Sequence, residues 1–125
     1  MALAALATGL VACAGSTGAK DSPPVDVTPG TDLKLVAKNL KFDKKALATT
    51  ANADVVLSLD NQDAATLHNV AIYKTKDGRD KVFGGDLFTG KKSVEYRFRS
   101  PGEGVYYFRC DAHPDMSGTF TVKLP

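Results

Sequence analysis

The chain has 125 residues, 43% of them hydrophobic and 24% charged, which is the composition of an ordinary globular protein and the length of one domain with one modest core. The 16 basic and 14 acidic residues are interspersed to a net charge of +2, which argues against the clustered Lys/Arg surface of a nucleic-acid binder. Two Cys and two His are too few for a multi-zinc framework or a disulfide scaffold.

In chain order, the first feature is Met1 to Ala12, where ten of the twelve residues are hydrophobic and none is charged. A run of about twelve is too short to cross a bilayer but fits the apolar region of a signal peptide. The basic residues that usually precede such a region are missing, so the start of the precursor is expected upstream, or the sequence to be trimmed. Leu10-Val11-Ala12-Cys13 resembles the lipobox of bacterial lipoproteins. That resemblance implies a lipid on Cys13 as the first mature residue. From Ala14 to Asp32 the chain is small and polar, with Pro23, Pro24, Pro29 and three Gly. Such a stretch buries too little apolar surface to offset its ordering entropy and reads as a tether stiffened by its prolines. The expected division is a signal peptide over 1–12, a lipidated Cys and tether over 13–32, and a globular domain over 33–125.

From Leu33 onward the pattern has period two. Val55, Leu57 and Leu59 alternate with polar or outward positions, as do Val94, Tyr96 and Phe98, and Phe120, Val122 and Leu124. Alternation over runs this short argues half-buried strands. Turn residues punctuate them at Asn61-Gln62-Asp63, Asp77-Gly78, Gly84-Gly85 and Ser100-Pro101-Gly102. Strands are predicted near 33–38, 46–50, 54–60, 67–73, 92–98, 104–110 and 118–124, with one helical turn as the alternative over Asp43 to Leu47. About seven short strands predict an all-β, antiparallel β-sandwich. The absence of a long amphipathic pattern speaks against a doubly wound α/β fold.

The informative stretch is Gly104 to Phe120. Cys110, His113 and Met116 fall three residues apart, and the other His is His68, in Leu67-His68-Asn69-Val70. Singly, each has an ordinary reading: a small buried hydrophobe, a solvated imidazole, a core side chain. Together, a thiolate, two imidazoles and a thioether form a soft donor set that suits copper, in a trigonal Cys-His-His plane with a weak axial Met. Zinc has little use for Met and wants a fourth strong ligand or a water. Three of the donors can converge from one loop between two strands. Pro114 stiffens that loop by fixing its own φ.

Gly104-Val105-Tyr106-Tyr107-Phe108-Arg109-Cys110, the Cys-x2-His-x2-Met loop and His68-Asn69 together resemble the cupredoxins, the small blue copper proteins that include plastocyanins, pseudoazurins and amicyanins. The resemblance covers about Leu33 to Pro125. It implies a Greek-key sandwich of seven to eight strands and one type 1 copper ion on His68, Cys110, His113 and Met116, with Asn69 bracing the Cys loop. Asp115 departs from the apolar patch that relatives carry beside this His. Tyr106, Phe108 and Cys110 are expected on the inward face at period two. Lys44-Lys45 and Lys91-Lys92 are expected on solvated faces, and Leu87-Phe88 as an exposed apolar pair near the metal end.

The function these readings imply is one-electron transfer by Cu(I)/Cu(II) cycling at an extracytoplasmic membrane face, with unnamed redox proteins as partners, no nucleic acid, and a monomeric carrier held by its lipid. Copper buffering or delivery without a redox partner is the alternative. Catalysis as a nitrite reductase or multicopper oxidase fragment needs His clusters that two His cannot supply. A Cys110 nucleophile activated by His113 would need a substrate cleft that a domain this small hardly provides.

Overall fold

The computed structural model describes residues 28–125, so the expectations for the signal peptide, for Cys13 and for most of the tether lie outside the described residues. The described chain forms nine strands: β1 Asp32–Lys38, β2 Lys41–Phe42, β3 Ala46–Thr50, β4 Asp54–Asn61, β5 Ala71–Tyr73, β6 Lys81–Gly84, β7 Lys92–Arg99, β8 Gly104–Arg109 and β9 Ser117–Lys123. They build a four-stranded sheet in the order β2-β1-β4-β7 and a five-stranded sheet in the order β3-β9-β8-β5-β6. The alternating residues close one core between the two sheets: Leu33, Leu35, Val55, Leu57 and Leu59 from one side, Leu47, Ile72, Phe108, Phe120 and Val122 from the other. Phe98 bridges the layers, stacked on Phe83 with ring centroids 4.4 Å apart and tilted against Phe120 at 6.2 Å.

The all-β sandwich agrees with the sequence, but its sheets are mixed rather than antiparallel throughout. β1 runs parallel to β4, with Leu35 opposite Leu59, and β3 runs parallel to β9, with Leu47 opposite Phe120. The chain leaves the first sheet after β2, crosses to the second as β3 and returns as β4 beside β1. Period-two alternation is the same in a half-buried strand of either direction, so it carries no sign of this crossing. The two strands beyond the predicted seven, β2 and β6, have two and four residues, too few for alternation to show. The strand predicted over 67–73 shortens to Ala71–Tyr73, all three of which are buried. Ahead of it, His68 makes an isolated antiparallel bridge with Phe88 through two hydrogen bonds of 3.0 Å. No helical turn forms over 43–47: the Asp43 carboxylate accepts from the Val36 amide at 2.8 Å, and Leu47 lies in β3, paired with Phe120 of β9. Leu124 lies past the end of β9 and is exposed.

Two backbone details place the elements. The β1–β2 hairpin turns on Asn39 and Leu40, at φ of 52° and 58°. This is the paired left-handed conformation of a two-residue hairpin turn, which costs a residue such as Leu40 about 1–2 kcal/mol. Gly118 sits where β9 passes both the Lys45 carbonyl and the Phe108 ring, and a Cβ there would come within 2.4 and 2.5 Å of them. The ends of β1, β4 and β8 and the start of β9 meet at one pole of the sandwich. The described chain enters and leaves near the other, where Gly30 bonds Ala48 and Ala51 bonds Lys123.

Candidate metal centre

Alternation along β8 turns Phe108 and then Cys110 inward, and both are fully buried. The chain then closes a tight loop. The Cys110 amide donates to the Met116 carbonyl at 2.9 Å, the His113 amide to the Cys110 carbonyl at 3.2 Å, and the Met116 amide to the His113 carbonyl at 2.9 Å. This loop brings His113 Nδ1 to 3.6 Å from Cys110 Sγ and leaves Met116 buried at 2% exposure. His68 arrives from the segment before β5, fully buried, with its Nδ1 3.7 Å from the same sulfur. The three donor atoms all lie within 4.8 Å of one another. The structure thus brings together His68, Cys110 and His113, and buries Met116 on the same loop.

Asn69 fastens this arrangement. Its side-chain oxygen accepts from the Asp111 amide at 2.8 Å, and its Nδ2 donates to Asp111 Oδ2 at 3.0 Å and to the Gly85 carbonyl at 2.8 Å. One buried amide therefore joins the His68 segment, the Cys loop and the loop after β6.

Two carboxylates that the sequence did not single out also belong here. Asp111 accepts from the Tyr73 hydroxyl and from Lys81 Nζ at 3.3 Å, and pairs with Arg109 Nε at 3.6 Å; the Arg109 guanidinium lies over the Tyr73 ring at 4.5 Å. Burial pushes the Asp111 carboxyl up, but the bonds from Tyr73 and Asn69 and the Lys81 charge outweigh it and hold the group below the usual carboxylate range. Asp63, which reads in the sequence only as a turn residue, faces His68 Nε2 at 2.9 Å. That bond and those from the Asn39 and Leu40 amides hold its carboxyl below the usual range as well. Nothing in a single sequence distinguishes these two from any other surface Asp.

Around the site, His113 is half-buried while Pro114 and Asp115 are exposed. Leu67 and Leu87 are exposed at 46% and 44%. The expected apolar pair is thus half right: Leu87 is open, but Phe88 packs against the core with Lys92 Nζ 5.5 Å from its ring centroid. Tyr106 is partly buried against the core, as its inward position predicts. The lysines at 44, 45, 91 and 92 are exposed. Among the described residues, no helix is long and apolar enough to cross a membrane.

A buried thiol flanked by two imidazole nitrogens, with a thioether on the same loop, is a donor set that suits one copper ion. No protein-family model matches the chain, and neither does any curated protein. Solved structures do. Dithionite-reduced auracyanin from the photosynthetic bacterium Roseiflexus castenholzii is 20% identical, with a TM-score of 0.68 over 77% of this chain and 99% of that one. Auracyanin A, a "blue" copper protein from the green thermophilic photosynthetic bacterium Chloroflexus aurantiacus, is 22% identical, with a TM-score of 0.66 over 77% of this chain and 100% of that one. The chain has the cupredoxin fold. Rusticyanin from Thiobacillus ferrooxidans shares it at 19% identity, with a TM-score of 0.61 over 78% of this chain and 80% of that one. In this cupredoxin-like sandwich the His-Cys-His cluster occupies one pole, at the mouth of the loop between β8 and β9.

Proposed function

We propose that this protein is a one-electron carrier that would hold a single copper ion on His68, Cys110 and His113, with Met116 of the same loop as a weaker fourth donor. The observation that carries the reading is the fully buried Cys110 sulfur with imidazole nitrogens at 3.6 and 3.7 Å. Copper at such a donor set supplies a Cu(I)/Cu(II) couple. The chain's own contribution is to keep the donors still. The Cys loop is closed by its own backbone hydrogen bonds and tied through Asn69 to the His68 segment and the loop after β6. Donors held this way need little rearrangement when an electron arrives or leaves. His68, Cys110 and Met116 are buried, whereas His113 is only half-buried, so the His113 ring edge is the path to a partner protein. Both His of the chain belong to this site, which leaves none for the additional copper centre that catalysis would need and supports a carrier over an enzyme.

Voltammetry of the copper-loaded protein tests this reading. A reversible one-electron wave, retained over repeated cycles, is the expected result. Loss of copper on reduction would overturn it in favour of copper buffering or delivery.

For location, the sequence Leu10 to Cys13 supports a lipid anchor on an extracytoplasmic membrane face. The described chain starts at the pole away from His68, so an anchor at Cys13 leaves the metal pole free for partners. A single acyl chain binds membranes only marginally, so firm attachment needs at least two. Wild-type protein is expected in the membrane fraction and Cys13→Ala in the soluble one. A wild type found wholly soluble with an unmodified Cys13 contradicts the anchor.

A further inference from the structure

We propose that Asp63 is the positioning residue of the copper site: its carboxylate fixes His68 as the Nε2–H tautomer, keeps Nδ1 turned toward Cys110 and strengthens that nitrogen as a donor to the oxidised ion. The proposal rests on the copper reading above. A neutral imidazole carries one N–H. His68 is fully buried, and its Nε2 lies 2.9 Å from Asp63 Oδ2 while its Nδ1 faces the Cys110 sulfur at 3.7 Å. With the hydrogen on Nε2 given to a carboxylate, the Nδ1 lone pair is the one left for a metal. A carboxylate in this position makes the ring a stronger donor, and its negative charge favours the more highly charged metal state.

Asp63 is itself held from several directions. Oδ1 accepts from the Asn39 amide at 2.8 Å, Oδ2 from the Leu40 amide at 3.2 Å, and the Asp63 amide donates to Asn61 Oδ1 at 2.9 Å. Asn61 is fully buried and reaches the Thr66 carbonyl at 3.4 Å. The carboxylate thus couples the left-handed turn at 39 and 40 to the metal pole, 24 and 23 residues later in the chain. An Asn at this position has one oxygen for three N–H donors, so its NH2 group must face either the Asn39 amide or the His68 ring.

Two variants test the role: Asp63→Asn, and Asp63→Ala combined with Leu40→Gly, which relieves the turn so that loss of the carboxylate does not unfold the protein. In the metal-free state, long-range 1H–15N correlation of the imidazoles is expected to show His68 wholly as the Nε2–H form in wild type and as a tautomer mixture in both variants. In the copper-loaded state, Cu(II) affinity is expected to fall by roughly 10–100-fold. The reduction potential should rise by about 59 mV for each tenfold by which Cu(II) is weakened more than Cu(I). A folded Asp63→Ala/Leu40→Gly variant that keeps the wild-type tautomer, or either folded variant that keeps the wild-type potential, overturns the proposal. If the wild type takes up no copper, the copper reading falls, and the metal-free spectra still decide whether Asp63 sets the ring.

Discussion

At the scale of single residues, Asn69 carries more structure than its size implies. It is almost fully buried and makes three hydrogen bonds that join the Cys loop to the loop after β6. Asn69→Ala leaves the Asp111 amide and the Gly85 carbonyl without these partners, and is expected to cost about 2–4 kcal/mol in urea unfolding of the metal-free protein. A cost below about 0.5 kcal/mol, the low end for one net hydrogen bond, would show that the brace is not structural. Met116→Gln replaces a soft thioether by a harder oxygen donor that suits Cu(II) better. The copper colour should persist in that variant while the potential falls; an unchanged potential would place Met116 outside the copper site. The chemistry of the site was legible at this scale because soft donors at three-residue spacing are rare and each needs explaining. Asp63 and Asp111 were not legible, because an Asp in a turn is ordinary. What they touch, His68 in one case and Tyr73 and Asn69 in the other, is decided by segments that meet only in the folded chain.

At the scale of elements, β1, β4, β7 and β9 show in the sequence because each turns alternate side chains into a shared core, whereas β5 shows only as a short apolar run, all three of its residues being buried. β2 and β6 do not show, being too short to alternate, and neither does the parallel direction of β1 with β4 or of β3 with β9. The stretch leading to His68 reads as strand because Val70, Ala71 and Ile72 are apolar. The backbone there instead serves the site, bridging to Phe88 and presenting His68 and Asn69 in succession to the Cys loop. Gly118 shows how closely β9 is fitted. A methyl group there would meet a backbone carbonyl of the β3 approach and the ring of Phe108, neither of which is the free end of a flexible chain. Gly118→Ala is expected to destabilise the protein by about 1–3 kcal/mol, measured by the urea midpoint. An unchanged midpoint would mean that the Phe108 ring moves freely, contrary to its complete burial.

At the scale of the whole molecule, the sandwich is polar in its organisation: donors and their braces at one pole, the ends of the described chain at the other. The same packing sets its response to alkali. Burial pushes the Tyr96 phenol well above its usual value, with the Asp86 charge adding to the effect. Its hydroxyl donates to the Asp86 carbonyl at 2.8 Å. A raised folded pKa means that the unfolded chain loses this proton first as pH climbs. Stability is therefore full below about pH 10, the ordinary Tyr value, and declines above it. Lys81, held above its usual value by its bond to Tyr73 despite partial burial, acts with the same sign. Its half-exposed side chain makes its share smaller. Urea midpoints across this range should fall in wild type and fall less in Tyr96→Phe, which loses about 1 kcal/mol at neutral pH with its hydrogen bond; parallel curves would contradict the role of Tyr96. A copper ion held as proposed would act on the whole molecule too, since an ion bound only by the folded state at about 1,000 times its dissociation constant adds about 4 kcal/mol. The central claim is that one copper ion sits on the Cys110 thiolate. Titration of the metal-free protein with Cu(II), followed by visible absorption, tests it most directly. An intense blue or green thiolate-to-copper band should rise and saturate at one equivalent in wild type and be absent in Cys110→Ser. A colourless wild type, or a Cys110→Ser variant that keeps the band, would contradict the account.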